Sequence, residues 1–167
     1  QKVFTPDALP DSSWTFVAAS TQEVRTGVRH KVSDFSVFDA TGQSVTDLLL
    51  NERETALVLL ITSEDNLDEK VLSRIKPLVA ERKTKGAPFY AISALPATYT
   101  EQLLQEHGVE MPVYTADRNT LLTVIRSTPG LMVLRQGTVM AKYGYRDIPS
   151  LRNWEKMQQE DPELVVT

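Results

Sequence analysis

The chain has 167 residues, the length of one domain with room for a modest N-terminal extension. With 41% hydrophobic and 24% charged residues, its composition excludes collagen-like, disordered and low-complexity classes. There are 18 Lys and Arg against 22 Asp and Glu, and no cysteine. The mildly acidic balance speaks against a nucleic-acid partner, which needs clustered basic charge, and the missing thiols exclude cysteine nucleophiles, disulfide scaffolds and cysteine-ligated zinc.

The chain opens on Gln1 with neither an initiator Met nor a charged-then-apolar leader, which reads as a mature or excised fragment. Residues 1–33 read as an extended lead-in punctuated by Pro6 and Pro10, with a short strand at 14–18. Two short β runs, 35–38 and 43–46, flank a turn at Gly42 and read as an N-terminal β-hairpin. The longest apolar run is 56–61. It is far short of the ~20 residues that span a bilayer as a helix, and its unbroken branched character predicts a strand covered on both faces.

Residues 66–83 read as a helix. Asn66 and Glu69 have capping-box spacing. Leu67, Val71, Ile75, Leu78, Val79 and Arg82 recur at three- and four-residue steps on one face, and Gly86 stops the run. Pro77 inside it predicts a kink. A strand at 88–93, a helix at 100–107 ended by Gly108, and a strand at 112–115 follow. Asp117 then caps a helix reaching about residue 127. A second hairpin joins 130–134 to 138–142 through 135–137. Pro149 opens a last helix carrying Leu151, Trp154 and Met157, and 161–167 form a tail. This order predicts an α/β domain over 34–160, a mixed central sheet with helices on both faces. Leu59, Ile61, Ile75, Ile92 and Val133 are expected in the core where the sheet meets the kinked helix.

The segment 127–144 (Ser-Thr-Pro-Gly-Leu-Met-Val-Leu-Arg-Gln-Gly-Thr-Val-Met-Ala-Lys-Tyr-Gly) resembles the thioredoxin pattern of Thr–cis-Pro, apolar strand, basic-polar-Gly turn, second strand and closing Gly. The likeness is to extracytoplasmic domains of the TlpA and peroxiredoxin type, in which a motif such as 34–42 (Asp-Phe-Ser-Val-Phe-Asp-Ala-Thr-Gly) precedes the first central strand. It implies a thioredoxin-like fold from residue 34 to about 157 and a cis bond before Pro129. More narrowly, 27–35 (Gly-Val-Arg-His-Lys-Val-Ser-Asp-Phe) and 126–130 (Arg-Ser-Thr-Pro-Gly) resemble the C-terminal periplasmic domain of DoxX-like membrane proteins of Gram-negative bacteria. That resemblance implies a membrane bundle upstream and tethering to the inner membrane. Redox relatives carry Cys-x-x-Cys where a helix N-terminus stabilises a thiolate. Counting forward from the 57–62 strand places those positions near Asp65 and Asp68, whereas counting back from Pro77 places them at Glu69 and Leu72. Neither register offers a thiol, so disulfide exchange and peroxidase activity are not inherited.

Ser63, Glu64, Asp65, Asn66 and Asp68 form the densest acidic stretch. Carboxylates there could ligate a hard cation, but the stretch lacks the spacing and turn Gly of a calcium loop, and acids in a first helical turn also complement the helix dipole. His30 and His107 have no nucleophile or elbow motif beside them; His107 precedes Gly108, a place where a cation suits a helix C-terminus. Arg25, Arg29 and Lys31 either face anionic lipid or line a solvated loop. In redox relatives the loop matching Thr128 and Pro129 presents backbone groups to an extended peptide, and that surface can outlive the cysteines. Equally, the proline can simply shape the entry to the next strand. The resulting expectation is a non-redox module that binds a protein or peptide partner through Ser63, Glu64, Asp65, Asn66, Asp68, Thr128 and Pro129. It has no assigned catalytic residue, cofactor or metal. The alternatives are a thiol-independent, metal-assisted enzyme and an accessory to a redox partner that supplies every cysteine.

Overall fold

The computed structural model describes residues 35–161. The expected lead-in, its strand at 14–18, His30 and the basic cluster at 25–31 lie outside the described residues. Eleven elements follow one another: β1 (Val37–Phe38), α1 (Thr46–Leu50), β2 (Ala56–Ile61), α2 (Glu69–Thr84), β3 (Phe89–Ser93), α3 (Ala97–Glu106), β4 (Val113–Ala116), α4 (Arg118–Val124), β5 (Gly130–Arg135), β6 (Thr138–Gly144) and α5 (Leu151–Glu160). The strands make one sheet in the order β1-β4-β3-β2-β5-β6. β2 pairs parallel with β3 and antiparallel with β5, so Leu59 stands between Ala91 and Leu131. β4 runs parallel to β3 and antiparallel to β1.

Strand residues point alternately to opposite faces, and the apolar residues divide accordingly. Leu57, Leu59 and Ile61 of β2 pack with Leu131 and Val133 of β5 against α2, α3 and α5. Val58 and Leu60 join Met132, Leu134 and Ile92 under α1 and α4. All six residues of β2 are buried, as a strand roofed on both sides requires. Leu59, Ile61, Ile75 and Val133 therefore lie where expected. Ile92 is buried as well, but under the opposite face, because it is one residue out of phase with Ala91.

The first hairpin shrinks to a single bridge between Phe38 and Ser44. The Thr46 hydroxyl accepts from the Val37 N–H at 2.8 Å and the chain turns into α1 instead of a second strand. α2 begins three residues later than its pattern predicts. Its N-cap is Asp68, whose carboxylate accepts from the Val71 N–H at 2.9 Å, so the Asn66–Glu69 capping box does not form. Asn66 instead has φ of 59°, a left-handed conformation that Asn tolerates better than most residues. α2 runs through Pro77 as one helix. Its Arg82 is fully buried and donates to the Thr55 carbonyl at the foot of β2. α3 starts earlier than expected, at Ala97, and α4 ends at Val124, short of residue 127. Asp117 caps α4 through the Thr120 N–H, and that bond holds its carboxyl below the ordinary value. Gln136 and Gly137, both at positive φ, close the β5–β6 turn.

Candidate functional site

Three elements converge where β2 ends: the 62–68 loop, the 126–129 loop before β5 and the start of α4. The antiparallel register of β5 on β2 puts Gly130 beside Leu60, which lays the preceding loop over the end of β2. The Thr128 hydroxyl accepts from the backbone N–H groups of Thr62 at 3.1 Å and Ser63 at 3.3 Å, and donates to the Ser63 carbonyl at 3.2 Å. The Asn66 side-chain amide donates to the Thr128 carbonyl at 3.1 Å. The left-handed turn at Asn66 is thus tied to the loop it faces. The Arg118 guanidinium donates to the Thr62 carbonyl at 3.3 Å. Behind this layer, the Ser127 hydroxyl donates to the Pro129 carbonyl and accepts from the Tyr145 N–H. The Thr128–Pro129 bond is cis, and Pro129 is buried.

Of the residues expected at the site, Ser63, Asn66, Thr128 and Pro129 come together. The others have different occupations. Ser63 donates to the Asp65 carboxylate at 2.7 Å. Glu64 lies against Tyr99 of α3, where its carboxylate pushes the phenol pKa up. Asp68 is spent on the helix cap. Among the described residues no three His, Asp or Glu side chains gather in a way that could hold a metal ion. Within the acidic stretch, Asp68 caps α2 and Asp65 accepts from Ser63.

α2 opens at Glu69 with Asp68 as its N-cap, so each of the two registers counted from the sequence places one residue at the helix start. Glu69 and Leu72 stand in its first turn, while Asp65 and Asp68 belong to the loop and its cap. Glu69 is exposed and lies 3.3 Å from His107 Nδ1, and Leu72 is buried. His107 is the C-cap of α3. Arg118 and Ser127 were not readable as site residues. Their partners lie on separate segments of the chain, and no local pattern marks them.

No protein-family model matches the chain, and no curated protein matches it. Solved structures do. A thiol-disulfide oxidoreductase from Bacteroides fragilis NCTC 9343 is 16% identical with a TM-score of 0.58, over 76% of this chain and 96% of that one. A thiol:disulfide interchange protein from Bacteroides sp. is 14% identical with a TM-score of 0.54, over 75% and 84%. StoA from Bacillus subtilis is 11% identical with a TM-score of 0.52, over 73% and 93%. At such identities the likeness establishes the fold alone. The fold is thioredoxin-like.

Proposed function

We propose that this chain is a non-redox thioredoxin-like module that binds a protein or peptide partner, held on the periplasmic side of the inner membrane as part of a DoxX-like membrane protein. The observation that carries the binding role is the closed contact between the 62–68 loop and Thr128. A cysteine-bearing relative keeps reactive thiols at the start of the corresponding helix. Here Glu69 and Leu72 occupy that turn, and the neighbouring loops are stitched together by hydrogen bonds instead. The Thr128 carbonyl is already taken by Asn66, so an extended partner strand competes with the Asn66 amide for it. The likeness of 27–35 and 126–130 to DoxX-like proteins supports the location and the tether. No donor cluster among the described residues supports the metal-assisted alternative.

The test is site-specific photo-crosslinking in intact cells, with the probe at Asn66 and, as a control, at Glu160 on the last turn of α5. The reading expects one partner captured from position 66 and not from 160, whose complex with the purified domain is altered by Asn66→Ala. Equal capture at both positions, or none at 66, overturns it. Fractionation of the full-length protein places it in the inner membrane if the tether is real.

A further inference from the structure

The 62–68 loop has two fixed ends and an exposed tip. At one end Thr62 is buried, and its N–H and that of Ser63 are held by the Thr128 hydroxyl. At the other, Leu67 is buried in the core and Asp68 caps α2. Glu64, Asp65 and Asn66 between them are exposed. Resting on the binding role argued above, we propose that this tip is an autoinhibitory latch. In the free protein the Asn66 amide stands in for a partner's backbone N–H at the Thr128 carbonyl, and binding requires the tip to swing away.

Three observations carry this. The first is chemical. The Asn66 carboxamide offers the kind of N–H donor that a peptide group offers, and it reaches the Thr128 carbonyl at 3.1 Å. An extended partner laid along the loop before β5 gains its affinity from main-chain bonds, and this carbonyl is one of the acceptors it needs. The second is the backbone. Asn66 has φ of 59°, a left-handed conformation that costs any residue but glycine, though Asn less than most. It is the third residue of a turn closed by the Leu67 N–H on the Glu64 carbonyl at 3.2 Å. The bond to Thr128 offsets that backbone cost. A partner that takes the carbonyl removes the offset, so the side chain and the backbone let go together. The tip therefore has two discrete states, whose balance a partner can shift.

The third is mechanical. The Ser63 hydroxyl donates to the Asp65 carboxylate at 2.7 Å, which folds the tip on itself so that it moves as one piece. None of the bonds from the Thr128 hydroxyl to Thr62 and Ser63 involves the tip. Opening thus uncovers the carbonyl while the loop that presents it stays anchored. Short exposed segments with few buried contacts are the ones that open locally.

The experiment compares the full 167-residue chain with Asn66→Gly, which accepts the same φ without an amide, and Asn66→Asp, whose carboxylate cannot donate. Hydrogen exchange reads the Leu67 N–H, released when the turn opens, beside those of Thr62 and Ser63. Photo-crosslinking in intact cells, with a benzophenone side chain at the exposed position 126, reads access to the loop. Both variants should lower Leu67 protection about threefold to tenfold, the loss of one net hydrogen bond, and leave Thr62 and Ser63 protected. Apparent affinity scales with the open fraction. Capture from 126 should therefore rise, and the captured partner should bind the purified variants more tightly by the factor that Leu67 protection falls. Unchanged Leu67 protection in both variants would overturn the latch. Protection lost with no gain in capture would mean that the carbonyl serves both donors through its two lone pairs. That result overturns the latch and leaves the binding role, which rests on capture from 66 over 160. No capture from 126 in any form overturns the latch and, with none from 66, the binding role as well.

Discussion

Thr128 holds two backbone N–H groups from a segment 65 and 66 positions away, so one side chain joins the end of β2 to the entry of β5. Replacing it with Ala leaves the Thr62 and Ser63 amides without their acceptor. The expected cost is about 1–3 kcal/mol, the penalty for stranding partly buried donors, with faster hydrogen exchange at both amides. Thr128→Ser keeps the hydroxyl and should cost well under half as much. Denaturant melts of the two variants decide it: equal losses would mean that the methyl, not the hydroxyl, does the joining. Asn66 shows how a residue can mislead. Its spacing to Glu69 imitates a helix start, but Asp68 caps through Val71 with the same three-residue logic, and the competition is settled by where the loop must turn to reach Thr128.

Among elements, β2 bears most on stability. Its side chains alternate between two separate apolar clusters, and it is hydrogen-bonded on both edges. Leu59→Ala should destabilise by about 2–5 kcal/mol, the range for a fully buried leucine. A loss under about 0.5 kcal/mol in denaturant melts, the size of a surface change, would contradict this packing. Elements such as β2, β3 and the β5–β6 hairpin are legible in the sequence because their signals are local: an unbroken apolar run, or a Gln-Gly turn between two strand-forming segments. The first hairpin is not. Thr46 is an ordinary strand residue by propensity, and it is diverted by the bond it accepts from Val37. The buried Arg82 carried a correct positional signal, since it fell on the apolar face of the helix pattern. The candidate site was legible only in part. Thr128 and Pro129 could be named from the resemblance to the thioredoxin pattern, and Ser63 and Asn66 from the acidic stretch they belong to, but Arg118 acquires its place only through tertiary contact with Thr62.

For the molecule as a whole, the scaffold associated with thiol chemistry is present and the thiols are not. The purified domain is expected neither to reduce insulin disulfides nor to consume peroxide, because no side chain can form the thiolate. The α2 register makes a sharper expectation. Glu69→Cys with Leu72→Cys should create a reducible disulfide and measurable insulin reduction, and Asp65→Cys with Asp68→Cys should not. Thiol counting before and after reductant would settle the register, and a disulfide formed only by the 65/68 pair would refute it. The order of strands in the sheet also bears on biosynthesis. β2 is wholly apolar, and its two hydrogen-bonding partners emerge from the ribosome at different times. β3 arrives soon after it, whereas β5 comes only once residues 130–135 have been made. Until then a nascent chain presents an apolar strand with one open edge, the kind of surface that templates misassembly. A chain released before residue 130 cannot close that edge at all. The interval between making β2 and making β5 is thus the vulnerable stage in this protein's life, when a holding chaperone has most to protect.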